Sequence, residues 1–194
     1  YIYDALQTNY STRYHFTGGA NGGANPIGAL VGTSTGPGGP TFYGVTLNGG
    51  PMGAGTIYRI NHLGTDFTIL YAFTNGMDGG YPTAGLTMVG STLFGTTGTG
   101  GAQNQGVLYQ INTDGSGFAQ LVSFGGPNGS YPAGPVTSLS GGLYGMTVYG
   151  GTYDQGVIYR IPPGGGEYSI LHSFHAGGVG IEGLEGAYPA DQLV

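Results

Sequence analysis

Short apolar runs recur along the chain, separated by glycines. Ile57-Tyr58-Arg59-Ile60, Val107-Leu108-Tyr109-Gln110-Ile111 and Val157-Ile158-Tyr159-Arg160-Ile161 are rich in β-branched and aromatic residues. That composition fits strands on a half-buried or buried sheet. Ser169-Ile170-Leu171-His172-Ser173-Phe174 carries the mixed pattern of a half-buried strand. Thr113-Asp114-Gly115-Ser116-Gly117 carries the Asp-Gly signal of a tight hairpin. No segment sustains a helical stripe, and the frequent Gly and Pro would break one.

These runs belong to a repeat. Phe42-Tyr43-Gly44-Val45-Thr46, Leu93-Phe94-Gly95-Thr96-Thr97 and Leu143-Tyr144-Gly145-Met146-Thr147 align at offsets of 51 and 50 residues. Each is followed by a Gly-Gly pair and then by a run of the Tyr58, Tyr109 or Tyr159 type. An aromatic strand comes next, ending at Phe73, Phe124 or Phe174. A Pro-marked segment closes the unit: Tyr81-Pro82, Tyr131-Pro132 and Tyr188-Pro189. A looser fourth copy opens the chain, with Tyr3, Tyr10, Phe16 and Asn25-Pro26-Ile27 in the corresponding places.

Four short strands in about 50 residues is the size of a propeller blade. The expected fold is therefore all-β: a β-propeller of four blades, each of four antiparallel strands. An open β-solenoid is the alternative. Residues 1–194 are read as one repeat domain with units near 1–41, 42–91, 92–141 and 142–194. Recurrent Tyr and Phe are expected mostly to fill the space between blades, and ring closure would hide the end faces. Both chain ends fall mid-blade in this register, so a strand from a neighbouring molecule or from a continuation of the chain is expected to complete the last blade near Leu193.

Composition narrows the function. Only three residues are Lys or Arg and the formal net charge is −6, which leaves little for nucleic acid or acidic lipid to bind. Glycine is abundant, at 45 residues, but follows no G-x-y triplet, and a hydrophobic content of 39% argues against disorder. There is no cysteine, which removes disulfides and thiolate metal sites. No apolar run approaches the ~20 residues of a membrane helix. A chain starting at Tyr1 rather than Met reads as a mature or internal segment of a longer precursor.

The motif Leu-Tyr-Gly-x-Thr, Gly-Gly, Gly-x-[Ile/Val/Leu]-Tyr-[Arg/Gln]-Ile, a Phe-terminated strand and Tyr-Pro resembles the tandem GloVer-type repeats of bacterial surface and secreted proteins. The resemblance is strong over 42–174 and looser over 1–41. It implies an exported, surface-associated repeat array and brings no catalytic residues with it.

The search for chemistry yields candidates rather than a constellation. His15, His62, His172 and His175 form no H-x-x-x-H pattern. Glu182 and Glu185 lie in an expanded loop, 176–187, and are candidate ligand contacts, as are the non-repeat aromatics Tyr149 and Tyr153. Asp78-Gly79-Gly80 lacks an EF-hand or nonapeptide calcium pattern. Arg59 and Arg160 share one repeat position with Gln110, which suggests an exposed strand site. No nucleophile elbow and no phosphate-cradling loop is present. Asn9 and Asn128 head N-x-S sequons and are candidate glycosylation sites. No catalytic, cofactor or metal residue is expected, and no cofactor. The leading expectation is a non-enzymatic extracellular or cell-surface scaffold that self-associates with identical or tandem units in an array or filament. A carbohydrate-binding, lectin-like propeller with an aromatic-lined pocket repeated at equivalent loops is the second reading. A glycan-active hydrolase or lyase is the third.

Overall fold

The computed structural model describes residues 11–34 and 38–175. Thirteen strands and one short 3-10 turn, Gly126–Asn128, make up its regular structure. In chain order the strands are β1 Gly23–Thr33, β2 Thr41–Gly49, β3 Thr56–Asn61, β4 Thr68–Ala72, β5 Gly80–Pro82, β6 Thr87–Val89, β7 Thr92–Thr99, β8 Val107–Asn112, β9 Ala119–Ser123, β10 Ser130–Leu139, β11 Gly142–Tyr149, β12 Val157–Ile161 and β13 Ser169–Ser173. Among the described residues, no helix is long and apolar enough to cross a membrane.

The strands form three antiparallel meanders: β1-β2-β3-β4, then β5/β6-β7-β8-β9, then β10-β11-β12-β13. β5 and β6 both pair with β7 and together hold the place of one strand. The sheets are thus all-β and four strands wide, not the wound coils of a solenoid. Each sheet begins with the Pro-marked segment and continues into the hairpin after it. The same irregularity interrupts the last strand pair of each sheet, at Ile57/Tyr58, Leu108/Tyr109 and Ile158/Tyr159.

Strands buried on both faces read as continuous apolar runs, and β7 is such a strand: Leu93 to Gly98 are all buried. Tyr43, Val45 and Ile57 of the first sheet meet Leu86, Leu93, Tyr109 and Ile111 of the second. Phe94, Leu108 and Phe124 of the second meet Val136, Leu143, Tyr159 and Ile161 of the third. The first strands converge so closely that Gly28 lies against the backbone of Gly85. A Cβ on Gly28 would stand 2.2 Å from the Gly85 nitrogen.

One aromatic arrangement is built three times. Tyr109 lies 5.2 Å from Phe73 and 5.7 Å from Phe118. Tyr159 lies 5.3 Å from Phe124 and 5.4 Å from Tyr168. Tyr58 lies 5.2 Å from Phe16 and 5.4 Å from Phe67. In the third case the partner, Phe16, comes from the loose opening copy, whose Tyr14 stacks on Phe67 at 4.2 Å as Tyr71 stacks on Phe118 at 3.8 Å. Residues 14–16 therefore engage the outer face of the first sheet as Tyr71 and Phe73 engage the second.

The tyrosine of each triad sits opposite a glycine. Gly44, Gly95 and Gly145 pair in register with Tyr58, Tyr109 and Tyr159. A Cβ at Gly95 would stand 2.3 Å from the Tyr109 hydroxyl. The buried threonine two residues on ties the hairpin together. Thr97 Oγ1 accepts from the Val107 amide at 3.1 Å and donates to the Thr99 carbonyl at 2.9 Å. Thr147 does the same with Val157 and Tyr149. The Leu-Tyr-Gly-x-Thr pattern is thus a packing and hydrogen-bonding motif.

Candidate functional site

Where the first strands converge they leave a pocket of about 540 Å³. Its walls come from equivalent positions of the three sheets. Leu47, Gly98 and Val148 are one such set, and Ile27, Thr83 and Ala133 are another. Tyr81 and Tyr131 stand over it with 36% and 49% of their surface exposed.

Local backbone chemistry puts those rings there. Pro82 and Pro132 pair opposite Thr97 and Thr147 on the edge strands β5 and β10, where a residue without an N–H is tolerated. Their rings abut Gly55 and Gly106 of the preceding sheet. The residue before each proline donates its amide to that same sheet, Tyr81 to Ala54 at 2.7 Å and Tyr131 to Gln105 at 3.0 Å. The backbone there has a positive φ: 53° at Tyr81, 56° at Tyr131 and 57° at the equivalent Asn25. Asn accepts positive φ readily, whereas a tyrosine does so at a cost, and a residue before proline prefers extended backbone. The Tyr131 ring lies over Gly98, where a Cβ would come within 3.3 Å of it.

Among the described residues, the pocket lining contains no Asp, Glu, Lys, Arg or His. Its polar groups are hydroxyls. Thr99 Oγ1 donates to Asn75 Oδ1 at 2.5 Å and is 3.2 Å from the Gly80 carbonyl. Thr83 Oγ1 and Thr96 Oγ1 are 3.0 Å apart, and Thr96 donates to the Gly134 carbonyl at 3.3 Å. The two phenols and these hydroxyls give the described lining stacking surface and hydrogen-bonding groups.

A second cavity, about 550 Å³, lies against the outer face of the first sheet, between Phe42, Tyr58 and Ile60 on one side and residues 12–16 on the other. His15 lines it.

The residues singled out from sequence lie elsewhere. Tyr149 and Tyr153 are exposed, at 46% and 54%, but neither lines the central pocket. Tyr153 packs edge-on against His175 at 4.4 Å. Asn128 is half-buried and organises its turn, accepting from the Gly125 amide at 2.8 Å and donating to the Ser123 carbonyl at 3.0 Å. A glycan on Asn128 would disturb that amide. Asp78, its repeat equivalent, accepts from the Thr74 amide at 2.8 Å, the Thr74 hydroxyl at 2.5 Å and the Tyr71 hydroxyl at 3.2 Å. Burial, with the Asp78 charge and its hydrogen bond adding to it, pushes the Tyr71 phenol up to about 12. Among the described residues no three of His, Asp or Glu gather where a metal could sit. Arg59 faces Asp66 at 3.7 Å in an exposed pair, which contributes little to stability. Asn9, Glu182, Glu185 and Leu193 lie outside the described residues.

Tyr81 and Tyr131 were hidden by an apparent kinship with the core tyrosines. The signal that separates them is the exchange with Asn25 at the same repeat position. A core site surrounded by apolar side chains would not take asparagine.

Among solved structures, the chain is similar to one in the crystal structure of a nidogen/laminin complex. The identity is 19% and the TM-score 0.51, over 76% of this chain and 48% of that one. It is also similar to a putative TolB from Agrobacterium tumefaciens, at 13% identity and TM-score 0.49, over 84% of this chain and 53% of that one. The chain spans about half the length of these two relatives. No curated protein matches its sequence. The model of the Gloeobacter/Verrucomicrobia repeat matches residues 1–194.

Proposed function

The chain belongs to the Gloeobacter/Verrucomicrobia repeat family, and we propose that it is a non-enzymatic scaffold module outside the cell, a four-bladed propeller that associates with further copies of itself. The observation that carries this reading is the thrice-built aromatic triad. Tyr14 and Phe16 engage the first sheet by the rule that joins the second and third. One interface repeated along a chain is a rule that also joins modules, because each sheet offers the face its neighbour needs. A contact of that head-to-tail kind propagates when its rotation does not close.

The cavity beside Tyr58 supports the same reading. At the next interface the corresponding face, Leu93, Tyr109 and Ile111, is covered by Tyr43, Val45 and Ile57. Tyr58 and Ile60 are already buried, whereas Phe42 is half-buried, and a strand of the Leu-Tyr-Gly-x-Thr type presented by another module has the side chains to pack on Phe42 and fill the cavity.

Sedimentation velocity and electron microscopy across a hundredfold concentration range test the proposal. Assemblies growing with concentration, and weakened by Phe42→Ala, are expected. A monomer at every concentration would overturn self-association. Protease shaving of intact source cells tests the location, and protection of the protein until lysis would refute it.

A further inference from the structure

We infer that the central pocket is a binding site for a neutral saccharide, with Tyr81 and Tyr131 as its stacking platforms. Four observations converge on that class of ligand.

The first is conformational. Two tyrosines stand before proline at φ of 53° and 56°, while the equivalent Asn25 shows that a better-suited residue fits the same backbone. Strain of this kind gathers where a side chain must be held for function. Here it holds two rings, partly exposed, over one pocket.

The second is electrostatic. Among the described residues the lining carries no formal charge, so these residues offer no ion pair to a phosphate, a carboxylate or an amine.

The third is the direction of the hydrogen bonds. Thr96 has one hydroxyl proton and gives it to the Gly134 carbonyl, so in the Thr83–Thr96 pair it is Thr83 that donates. Thr99 gives its proton to Asn75. Both lining threonines therefore present lone pairs to the pocket. They suit a ligand rich in O–H donors, while the Tyr81 and Tyr131 hydroxyls can donate as well as accept.

The fourth is shape. About 540 Å³ lies in the usual range for small-molecule pockets. A pyranose combines an apolar C–H face for an aromatic ring with a rim of hydroxyls. A purely apolar peptide side chain would cover the rings but would meet the Thr83 and Thr99 oxygens without hydrogen bonds.

This inference stands apart from self-assembly, since the pocket lies on the sheet convergence and not on the outer face of the first sheet. The test is saturation-transfer NMR and calorimetry on the intact chain with cellotriose, maltotriose, mannotriose and chitotriose. Trigalacturonate serves as the charged control, and a Leu-Phe-Leu tripeptide as the apolar one. At least one neutral trisaccharide should bind saturably, and at least tenfold more tightly than trigalacturonate. The variant Tyr81→Asn/Tyr131→Asn copies the residue already present at 25, so it should fold with an unchanged or higher midpoint and lose at least tenfold in affinity. Tyr149→Ala/Tyr153→Ala should bind as the parent does. The inference fails if no neutral trisaccharide binds, if the double Asn variant binds undiminished, or if only the tripeptide or trigalacturonate binds.

Discussion

Changing Tyr109 to Phe should stabilise this protein, although it removes a hydroxyl from the middle of the core. The Tyr109 ring is fully buried, held by Phe73 and Phe118, with its hydroxyl over Gly95. That hydroxyl is buried without a hydrogen-bond partner. In the unfolded chain it is hydrated, so folding strips its water for nothing, at about 1–3 kcal/mol. Deleting the oxygen leaves a void smaller than a methylene, and loss of its contacts takes back part of that gain, about 1 kcal/mol. The expected net effect is a stabilisation of about 1 kcal/mol, or roughly 2–4 °C in Tm for a chain of this size. Tyr168→Phe is the matched control. Tyr168 occupies the neighbouring triad, but its hydroxyl donates to the Asn128 carbonyl at 2.7 Å. Its removal should destabilise by about 0.5–1.5 kcal/mol. Urea unfolding followed by circular dichroism, with m unchanged, reads both. A Tyr109→Phe protein less stable than the parent by about 1 kcal/mol would mean that the hydroxyl has a partner, and the reasoning would be wrong.

Three further outcomes follow from the same core. Gly95→Ala places a Cβ 2.3 Å from a Tyr109 hydroxyl that has nowhere to move, and overpacking of this kind should destabilise by about 1–3 kcal/mol or more in the same urea assay. Thr97→Val keeps the shape but takes a partner from both the Val107 amide and the Thr99 carbonyl; a loss of about 1–3 kcal/mol is expected by calorimetry, and an unchanged Tm would contradict the role given to this threonine. Burial pushes the Tyr58 phenol up to about 12 and raises those of Tyr109, Tyr159 and Tyr168 as well. The unfolded phenols ionise near 10, so their stabilising share is complete below pH 10 and drains away above it, by up to about 1.4 kcal/mol per pH unit for each. Urea midpoints measured from pH 8 to 12 should be flat and then fall steeply, with tyrosinate absorbance at 295 nm lagging until unfolding.

Much of this architecture was legible in the chain because the repeat couples residues that must meet. Gly95 and Tyr109 recur together as Gly44 with Tyr58 and Gly145 with Tyr159, and the ladder places each pair face to face. The Asp-Gly hairpin also formed as its residues direct: Asp114 accepts from the Ser116 amide at 2.9 Å and its hydroxyl at 2.7 Å, which holds that carboxyl below its usual range. Less legible was the phase of the repeat. A periodic pattern has no origin, so nothing in it says whether the Pro-marked strand pairs with the hairpin before it or after it. The connections decide. Tight turns at Gly90-Ser91 and Ser140-Gly141 join that strand to the next hairpin, whereas the link after Phe73 or Phe124 passes to the next sheet.

The candidate site escaped for a related reason. Tyrosine recurs at two places in each full unit, and frequency treats them alike. Tyr58, Tyr109 and Tyr159 sit inside strands, opposite glycine, where extended backbone turns the ring into the neighbouring sheet. Tyr81 and Tyr131 sit one residue before proline, where the amide must reach the preceding sheet and φ turns positive. That single backbone reversal takes the side chain out of the core and over the pocket. Burial requires no tyrosine there, since Asn25 makes the same turn without one. The ring at 81 and 131 therefore demands a reason outside folding, and the pocket beneath it, hydroxyl-lined and uncharged among the described residues, is where a sugar would supply that reason.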